Sequence, residues 1–239
     1  MFRRGAVVAS LTRLRRLTVV IPIGDDNSFR RSFPFVTYGL IAINLAVFLV
    51  ELGQPDPQVY ITMWGVTPSQ VSAGHSLVTL LTSMFLHAGW AHLLGNMLFL
   101  FIFGDNVEDA FGHVKYLLFY LVCGIAAGLS QIYLAPTSNV PSIGASGAIS
   151  GVLAAYLVMF RNNPVRVLFG IFPAVVPAYV MIGVWIVFQF LYGAASFAHT
   201  QQSGGVAYGA HVGGFLAGLI LTFVLRPRGR TRVTRYGAP

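Results

Sequence analysis

Six apolar segments constrain this chain more than any other feature of its sequence. A helix needs roughly 20 residues to cross the hydrocarbon core of a bilayer. The candidate spans are Pro34–Leu52, Gly89–Val107, His113–Leu134, Ser146–Phe160, Pro177–Ala195 and Val206–Arg226. The fourth is short, so it must begin below the membrane surface or be extended by its flanking residues. Because 56% of the residues are hydrophobic and only 9% are charged, against about 25% charged in a typical soluble domain, we expect one integral membrane domain.

The basic residues predict how these spans are oriented. Six crossings place all 15 Lys and Arg residues on one side of the membrane. They are Arg3, Arg4, Arg13, Arg15, Arg16, Arg30, Arg31, Lys115, Arg161, Arg166, Arg226, Arg228, Arg230, Arg232 and Arg235. Since cytoplasmic loops are enriched in Lys and Arg, we predict an all-α membrane protein, a six-transmembrane-helix bundle with both termini cytoplasmic. The same distribution accounts for the net charge of +8 without nucleic acid as a partner.

This topology divides the chain into three regions. A basic cytoplasmic extension covers residues 1–33, the six-helix domain covers residues 34–226, and a basic cytoplasmic tail covers residues 227–239. The first outward connection, Gly53–Ala88, is long enough that we expect it to have its own structure or function. Its aromatic and apolar residues favour a position partly in the membrane interface. The third, Ser196–Gly205, is typical of a flexible flap.

Ser146 is the first candidate for chemistry, in the pattern Gly144-Ala145-Ser146-Gly147. It follows a turn and begins the fourth predicted helix. The unpaired backbone N–H groups and the positive dipole end at such a site can hold an oxyanion. The alternative is packing, because Gly147, Gly151 and Ala155 form a small-residue face on which serines are common.

His211 is the second candidate, in the pattern Ala210-His211-Val212-Gly213-Gly214 one turn inside the sixth segment. Gly214 and Gly218 permit a neighbouring helix to approach closely. If that neighbour is the fourth helix, Ser146 and His211 come within hydrogen-bond reach, as a nucleophile and its base must. A hydrogen bond that merely joins two helices is the alternative role for His211.

The pair is expected to act as a dyad. No Asp or Glu lies deep within a predicted span to complete a triad. We therefore expect packing or a hydroxyl group, from Tyr156 or Tyr208, to orient the imidazole.

His92 and Asn96 stand four residues apart, so they lie on one face of the second predicted helix. Both side chains can donate hydrogen bonds, and two stacked donors beside a nucleophile suit an oxyanion. They could instead be polar contacts between helices. A metal site formed by His87 and His92 is a weaker alternative, because no third ligand stands at a matching spacing.

With these residues assembled, the chain resembles the rhomboid family of intramembrane serine proteases, in its bacterial type. The resemblance covers about Pro34 to Arg226 and includes the six spans and the long first outer loop. Three motifs carry it: His92-x-x-x-Asn96, Gly144-x-Ser146-Gly147 and Ala210-His211-x-x-Gly214-x-x-x-Gly218. The stretch from Ile21 to Asn27 is also similar to one that precedes the first span in many bacterial members.

The resemblance implies a rhomboid-like bundle and an intramembrane serine endopeptidase that cleaves transmembrane segments of other membrane proteins. Ser146 would match the nucleophile and His211 its general base. His92, Asn96 and the Ser146 backbone N–H would match the oxyanion hole. No cofactor and no metal are implied. The partners would be transmembrane protein substrates and the lipid bilayer, and the sequence leaves the oligomeric state open.

Two further implications concern location and the first outer loop. We expect a multi-pass protein of the cell (inner or plasma) membrane. Glu108 falls where the family often places a structural acid. Many members carry a Trp-Arg pair in the first outer loop, whereas this loop contains no Arg, so we expect another anchor there, with Trp64 as the candidate.

Two other classes of protein remain as alternatives. The chain could be a catalytically inactive rhomboid-like binder or chaperone of membrane helices, although the four residues proposed for catalysis are all present. It could also be a small transporter or channel. The absence of acidic residues, Lys and Arg from the middle of the spans, and of evident inverted repeats, argues against the latter.

Overall fold

The computed structural model describes residues 20–198 and 207–225, with the backbone alone for residues 192–198. In chain order the elements are strand β1 (Val20–Asp25), helices α1 (Phe35–Leu52), α2 (Pro57–Trp64), α3 (Pro68–Ser72), α4 (Thr79–Thr82), α5 (Trp90–Phe111), α6 (His113–Leu134) and α7 (Ser146–Phe160), strands β2 (Pro164–Phe169) and β3 (Phe172–Pro177), and helices α8 (Ala178–Ala198) and α9 (Tyr208–Leu225). A 3-10 turn, Ser83–Phe85, follows α4.

A helix occupies each of the six predicted apolar segments, and two of them have the predicted bounds, His113–Leu134 and Ser146–Phe160. Within the described ranges α1, α6 and α9 are long and apolar enough to cross a membrane. The segment Thr79–Phe85, which contains α4, is bent by 94° from α5, and the two together form a fourth candidate. Helix α7 and the described part of α8, Ala178–Leu191, are shorter apolar helices. The fold is therefore a membrane bundle. Six crossings and cytoplasmic termini stay predictions, and most of the arginines of both termini lie outside the described residues.

A small antiparallel sheet corrects the all-α prediction, because the fold is mostly helical rather than wholly so. Strands β2 and β3 form a hairpin, and β1 pairs with β2 along its other edge. In β2, Val165 and Val167 are fully buried against the helices while Arg166 between them is exposed. This alternation is the signal of a half-buried strand, and the sequence prediction treated the segment only as a connection between spans.

Strand β1 attaches part of the predicted N-terminal extension to the helices. Asp25 is buried and accepts hydrogen bonds from the Tyr156 hydroxyl at 2.5 Å and from Asn106 Nδ2 at 2.8 Å. Asn163 Nδ2 donates to the same Tyr156 hydroxyl at 2.8 Å. Because Tyr156 lies on α7 and Asn106 on α5, one carboxyl group ties the strand to two helices.

Acidic side chains at the end of α5 satisfy the start of α1. The Glu108 carboxylate accepts from the backbone N–H groups of Val36 at 2.9 Å and Thr37 at 2.7 Å. These are among the donors that a helix N-terminus leaves unpaired. One turn earlier, Asp105 forms an ion pair with Arg30 at 2.6 Å. The predicted structural role of Glu108 is thus a cap that joins α1 to α5.

The first outer loop has its own structure, as its length suggested, in helices α2 to α4. It is anchored by the backbone of the connection that precedes α7. Val66 and Ser142 exchange two backbone hydrogen bonds, of 3.0 and 2.8 Å, and the Gly144 N–H donates to the Ser83 carbonyl at 2.8 Å. The Trp64 side chain, the expected anchor, is exposed. The loop therefore supports the segment that leads into Ser146.

The buried carboxyl of Asp25 predicts a pH-dependent stability. Burial raises its pKa to about 7, whereas an unfolded Asp titrates near its ordinary value of about 4. The folded state thus holds a proton that the unfolded chain releases, so this contribution is present below about pH 4 and is lost as the pH rises through 7. We expect the free energy of unfolding to fall by on the order of a few kcal/mol over that range, measured by denaturant unfolding in detergent.

Two variants test whether the Asp25 carboxyl causes this pH dependence. Asp25→Asn should flatten the pH dependence between pH 4 and 7.5, while the neighbouring Asp26→Asn should keep it. An unchanged slope in Asp25→Asn would show that other carboxyl groups cause the effect.

Candidate active site

Ser146 is the first residue of α7, immediately after a sharp turn. Gly144 has φ +117°, a backbone conformation that glycine adopts far more readily than other residues. The turn brings the chain from the connection after α6 into α7, with the Ser146 side chain half-buried. The first backbone N–H groups of α7 have no acceptor within the helix, as at every helix N-terminus, so Ser146 lies beside donors that the helix itself does not satisfy.

His211 faces Ser146 from α9. Its Nε2 atom lies 2.7 Å from the Ser146 Oγ, although the two residues are 65 positions apart in the chain. The imidazole is only 7% exposed, so the contact is largely screened from solvent. The structure thus brings together the two residues that the sequence singled out, in the geometry of a nucleophile and its base.

Glycine contacts between α7 and α9 explain this proximity. A methyl group added to Gly218 would lie 2.5 Å from the Gly151 Cα, and one added to Gly214 would overlap the Gly147 carbonyl oxygen. Real side chains do not approach so closely, so the two backbones touch at these positions because Gly214 and Gly218 lack side chains. A Cβ on Gly147 or Gly151 would instead lie 2.5 Å from Ala127 or Cys123 of α6. The packing role that was an alternative for the small residues is therefore real, and it is also what places Ser146 against His211.

Gln189 on α8 is a polar neighbour of His211 that the sequence analysis missed. Its Oε1 lies 2.6 Å from the His211 Nδ1. The prediction that Tyr156 orients the imidazole is wrong: Tyr156 is ten residues beyond Ser146, hence about 15 Å along α7, and its hydroxyl binds Asp25. The Tyr208 ring stands edge-on to the His211 ring, with centroids 6.4 Å apart. For Gln189, the available signal in the sequence was a lone amide within an apolar helix, since polar groups in such segments tend to be functional.

His92 and Asn96 lie on α5 beside the turn that precedes Ser146. A Cβ atom on Gly144 would lie 2.8 Å from the His92 Nε2 and 3.6 Å from the Asn96 Nδ2. Asn96 is buried, and its Nδ2 has no hydrogen-bond partner among the described residues. Leaving a buried donor unpaired costs about 1–3 kcal/mol, so this amide is an available donor beside the turn that leads into Ser146.

The described residues supply no third ligand for the alternative metal site at His87 and His92. The rings of His87 and His92 lie 5.0 Å apart, centroid to centroid. Within residues 20–198 and 207–225, however, no group of three or more His, Cys, Asp or Glu side chains converges as a metal site requires. The backbone N–H of His87 donates instead to the buried Glu51 carboxylate at 3.2 Å, which joins the loop before α5 to the end of α1.

Comparison with known proteins gives a consistent result. A family model described as Rhomboid domain matches residues 74–228, well over half of the chain. The chain is 32% identical over 163 residues to Rhomboid protease GluP of Bacillus subtilis (strain 168), which covers 65% of this chain and 31% of that relative. It is 33% identical over 235 residues to RHOMBOID-like protein 4 of Arabidopsis thaliana, covering 82% of this chain and 54% of the relative.

A third relative is the Putative rhomboid protease YdcA of Bacillus subtilis (strain 168), 32% identical over 141 residues, with 57% of this chain and 68% of the relative covered. The chain spans about a third of the length of the first relative and about half of the second. The family match, together with the apolar helices, makes this a multi-pass membrane protein. The matched range includes all four candidate site residues.

The glycine contacts predict that a single methyl group disrupts the site from a distance. Gly214→Ala should force α9 away from α7, lower the free energy of unfolding by about 1–3 kcal/mol and abolish labelling of Ser146 by a fluorophosphonate. Gly39→Ala on α1, where an added methyl meets nothing within 4 Å, is the matched control. Equal labelling and thermal stability in the two variants would show that α7 and α9 do not need this close contact.

Proposed function

The chain belongs to the rhomboid family, and on that premise we propose that it is an intramembrane serine endopeptidase that cleaves transmembrane segments of other membrane proteins. The observation that carries the proposal is the 2.7 Å contact between the Ser146 Oγ and the His211 Nε2. A buried imidazole at that distance can take the hydroxyl proton as the oxygen attacks a carbonyl carbon. The reaction class is therefore acyl transfer to serine followed by hydrolysis.

The proposed steps use the two side chains in sequence. His211 Nε2 accepts the proton of Ser146 as Oγ bonds to the scissile carbonyl carbon. The imidazolium then gives that proton to the leaving amine nitrogen as the peptide bond breaks. A water molecule, deprotonated by His211, attacks the resulting ester, and the proton returns to Ser146 when the new carboxyl group leaves. A Ser-His dyad completes both halves of the reaction with one proton carrier.

We propose three donors for the oxyanion that forms in each half. They are the Ser146 backbone N–H, the His92 imidazole and the Asn96 amide. The proposal is supported by the position of both side chains next to Gly144 and by the buried, unpaired Asn96 Nδ2. Donors fixed before the reaction stabilise the developing charge without reorganisation, which makes such sites a large part of catalysis.

The substrate is proposed to be a transmembrane helix that unwinds near the cleavage site. Its peptide bonds are protected while they are paired within a helix, so Gly or Pro residues near the scissile bond should favour cleavage. Entry from the lipid is proposed to pass α8, where Trp185, Phe188 and Phe190 lie; Phe188 and Phe190 are exposed. The flap proposed above this route, Ser196–Gly205, lies mostly outside the described residues.

The membrane arrangement is part of the same proposal. We place the protein in the cell (inner or plasma) membrane with six crossings, both termini in the cytoplasm and Ser146 in the outward half. The division into an extension at 1–33, a protease domain at 34–226 and a tail at 227–239 is also proposed. The pairing of β1 with β2 indicates that residues 20–25 pack with the domain.

A catalytically inactive binder or chaperone of membrane helices is the other candidate. Such a protein would need an apolar surface for its partner, but no serine within hydrogen-bond distance of a buried imidazole and no unpaired amide beside it. The arrangement of Ser146, His211 and Asn96 therefore favours the enzyme.

The dyad predicts a paired loss of reactivity. Purified protein should be labelled by a fluorophosphonate, and should cleave a reconstituted transmembrane substrate, whereas Ser146→Ala and His211→Ala should do neither. Ser142→Ala is the matched control: it removes a hydroxyl four residues before Ser146 and keeps the two backbone hydrogen bonds of this position with Val66. Labelling that persists in Ser146→Ala would show that another residue is the reactive one, and a wild type that neither labels nor cleaves would favour the inactive binder.

The oxyanion donors predict a loss of turnover without a loss of substrate affinity. His92→Ala and Asn96→Ala should each lower kcat by about 100- to 1,000-fold and leave KM nearly unchanged, because the donors act on charge that develops only in the transition state. His75→Ala, in an exposed part of the outer loop, should retain full activity. A change confined to KM would instead assign these residues to substrate binding.

A further inference from the structure

The His211 ring, on α9, is contacted from two other helices, α7 and α8. Its Nε2 lies 2.7 Å from the Ser146 Oγ on α7, and its Nδ1 lies 2.6 Å from the Gln189 Oε1 on α8. The Trp185 ring, one turn before Gln189, is tilted against the imidazole with centroids 5.8 Å apart. Both nitrogens therefore have a polar partner, although the ring is 7% exposed and no carboxylate accompanies it in the described residues.

The proposed role of His211 as a base determines which atom donates the proton in each of these two hydrogen bonds. A neutral imidazole carries one proton, on one nitrogen or the other. For Ser146 to donate its hydroxyl proton to Nε2, that nitrogen must be unprotonated, so the proton stands on Nδ1. Nδ1–H then donates to the Gln189 carbonyl oxygen. With the amide rotated, its NH2 group would donate to Nδ1, and Nε2 would carry the proton and could not act as a base.

We propose that Gln189 is a positioning residue that holds His211 in the Nδ1-protonated tautomer, with Nε2 directed at Ser146. This rests on the proposed function, and it assigns to an amide the role that a third acidic residue has in a triad. A neutral acceptor suits this position, because an unpaired charge in an apolar helix would cost far more than an amide.

Gln189 lies on α8, whereas Ser146 lies on α7 and His211 on α9. The orientation of the proposed base therefore depends on a third helix. Helix α8 begins directly after β3, at Pro177–Ala178, and supplies both Gln189 and Trp185. Any displacement of α8 from α9 separates the acceptor from Nδ1. The orientation of His211 is thereby coupled to the seating of α8, the helix past which we propose that the substrate enters.

The tautomer can be read directly, without activity, from 15N chemical shifts of histidine in the purified protein. The chain has 6 histidines, and the His211 signals are assigned by their loss in His211→Phe. Wild type should show a protonated Nδ1 and an unprotonated Nε2. Gln189→Leu, which has no acceptor, should show a mixture of tautomers, and Gln189→Glu, which keeps one, should retain the wild-type tautomer. Val187→Leu, at an exposed position two residues away, is the control.

Kinetics provide the second readout. Gln189→Leu should lower kcat about tenfold, as expected when a net hydrogen bond of about 1.4 kcal/mol is lost, and should leave KM unchanged. A purely structural role would instead lower thermal stability with an unaltered tautomer. The inference is overturned if Gln189→Leu retains both the tautomer and kcat of wild type, or if wild type carries its proton on Nε2.

If the proposed protease function is wrong, the experiments give a different set of results from those expected if only the role of Gln189 is wrong. A wild type without Ser146-dependent labelling or cleavage overturns the protease proposal, whereas the 15N shifts still report whether Gln189 sets the tautomer. An active, Ser146-dependent wild type with an unaffected Gln189→Leu overturns only the role of Gln189.

Discussion

The direct contact between the backbones of α7 and α9 is the constraint on which the rest of the site depends. Apolar side chains gain nothing by leaving lipid for a protein interior, so helices in a membrane associate through close packing and polar contacts. Here Gly214 and Gly218 meet Gly147 and Gly151 without any intervening side chain. The distance between the helices is therefore set by backbone atoms, and a hydrogen bond of 2.7 Å between side chains of the two helices becomes possible.

The two ends of α7 are fixed by different means. At the first end, the turn at Gly144 is tied to the outer loop by a backbone hydrogen bond and lies against α5. At the other end, the Tyr156 hydroxyl binds the buried Asp25 of β1. The helix between them has 15 residues, so a polar network towards one end and Ser146 at the other belong to one continuous helix. This arrangement accounts for a buried carboxyl group that lies far from the proposed chemistry.

The sequence was sufficient for features that depend on local pattern and insufficient for those that depend on a distant partner. Hydropathy predicted where helices form, and the small residues around Ser146 and His211 predicted which two helices meet. It did not predict the sheet, although Val165 and Val167 alternate with Arg166, because a short strand is identified by what it pairs with. Tyr156 was misassigned for the same reason, since its partner Asp25 lies 131 positions away. Gln189 was missed because one amide in an apolar helix shows its purpose only when its neighbour is known.

The order of the two contacting helices in the chain has a consequence for biosynthesis. Ser146 precedes His211 by 65 positions, and proteins are made and inserted from the N-terminus. A partly synthesised chain thus contains the serine in α7 before it contains the imidazole of α9. Until α9 packs against its glycine partners, the hydroxyl has no base and is an ordinary alcohol. Under the proposed function, the nascent protein therefore passes through the insertion machinery, among many other unfolded membrane segments, without the means to cleave them.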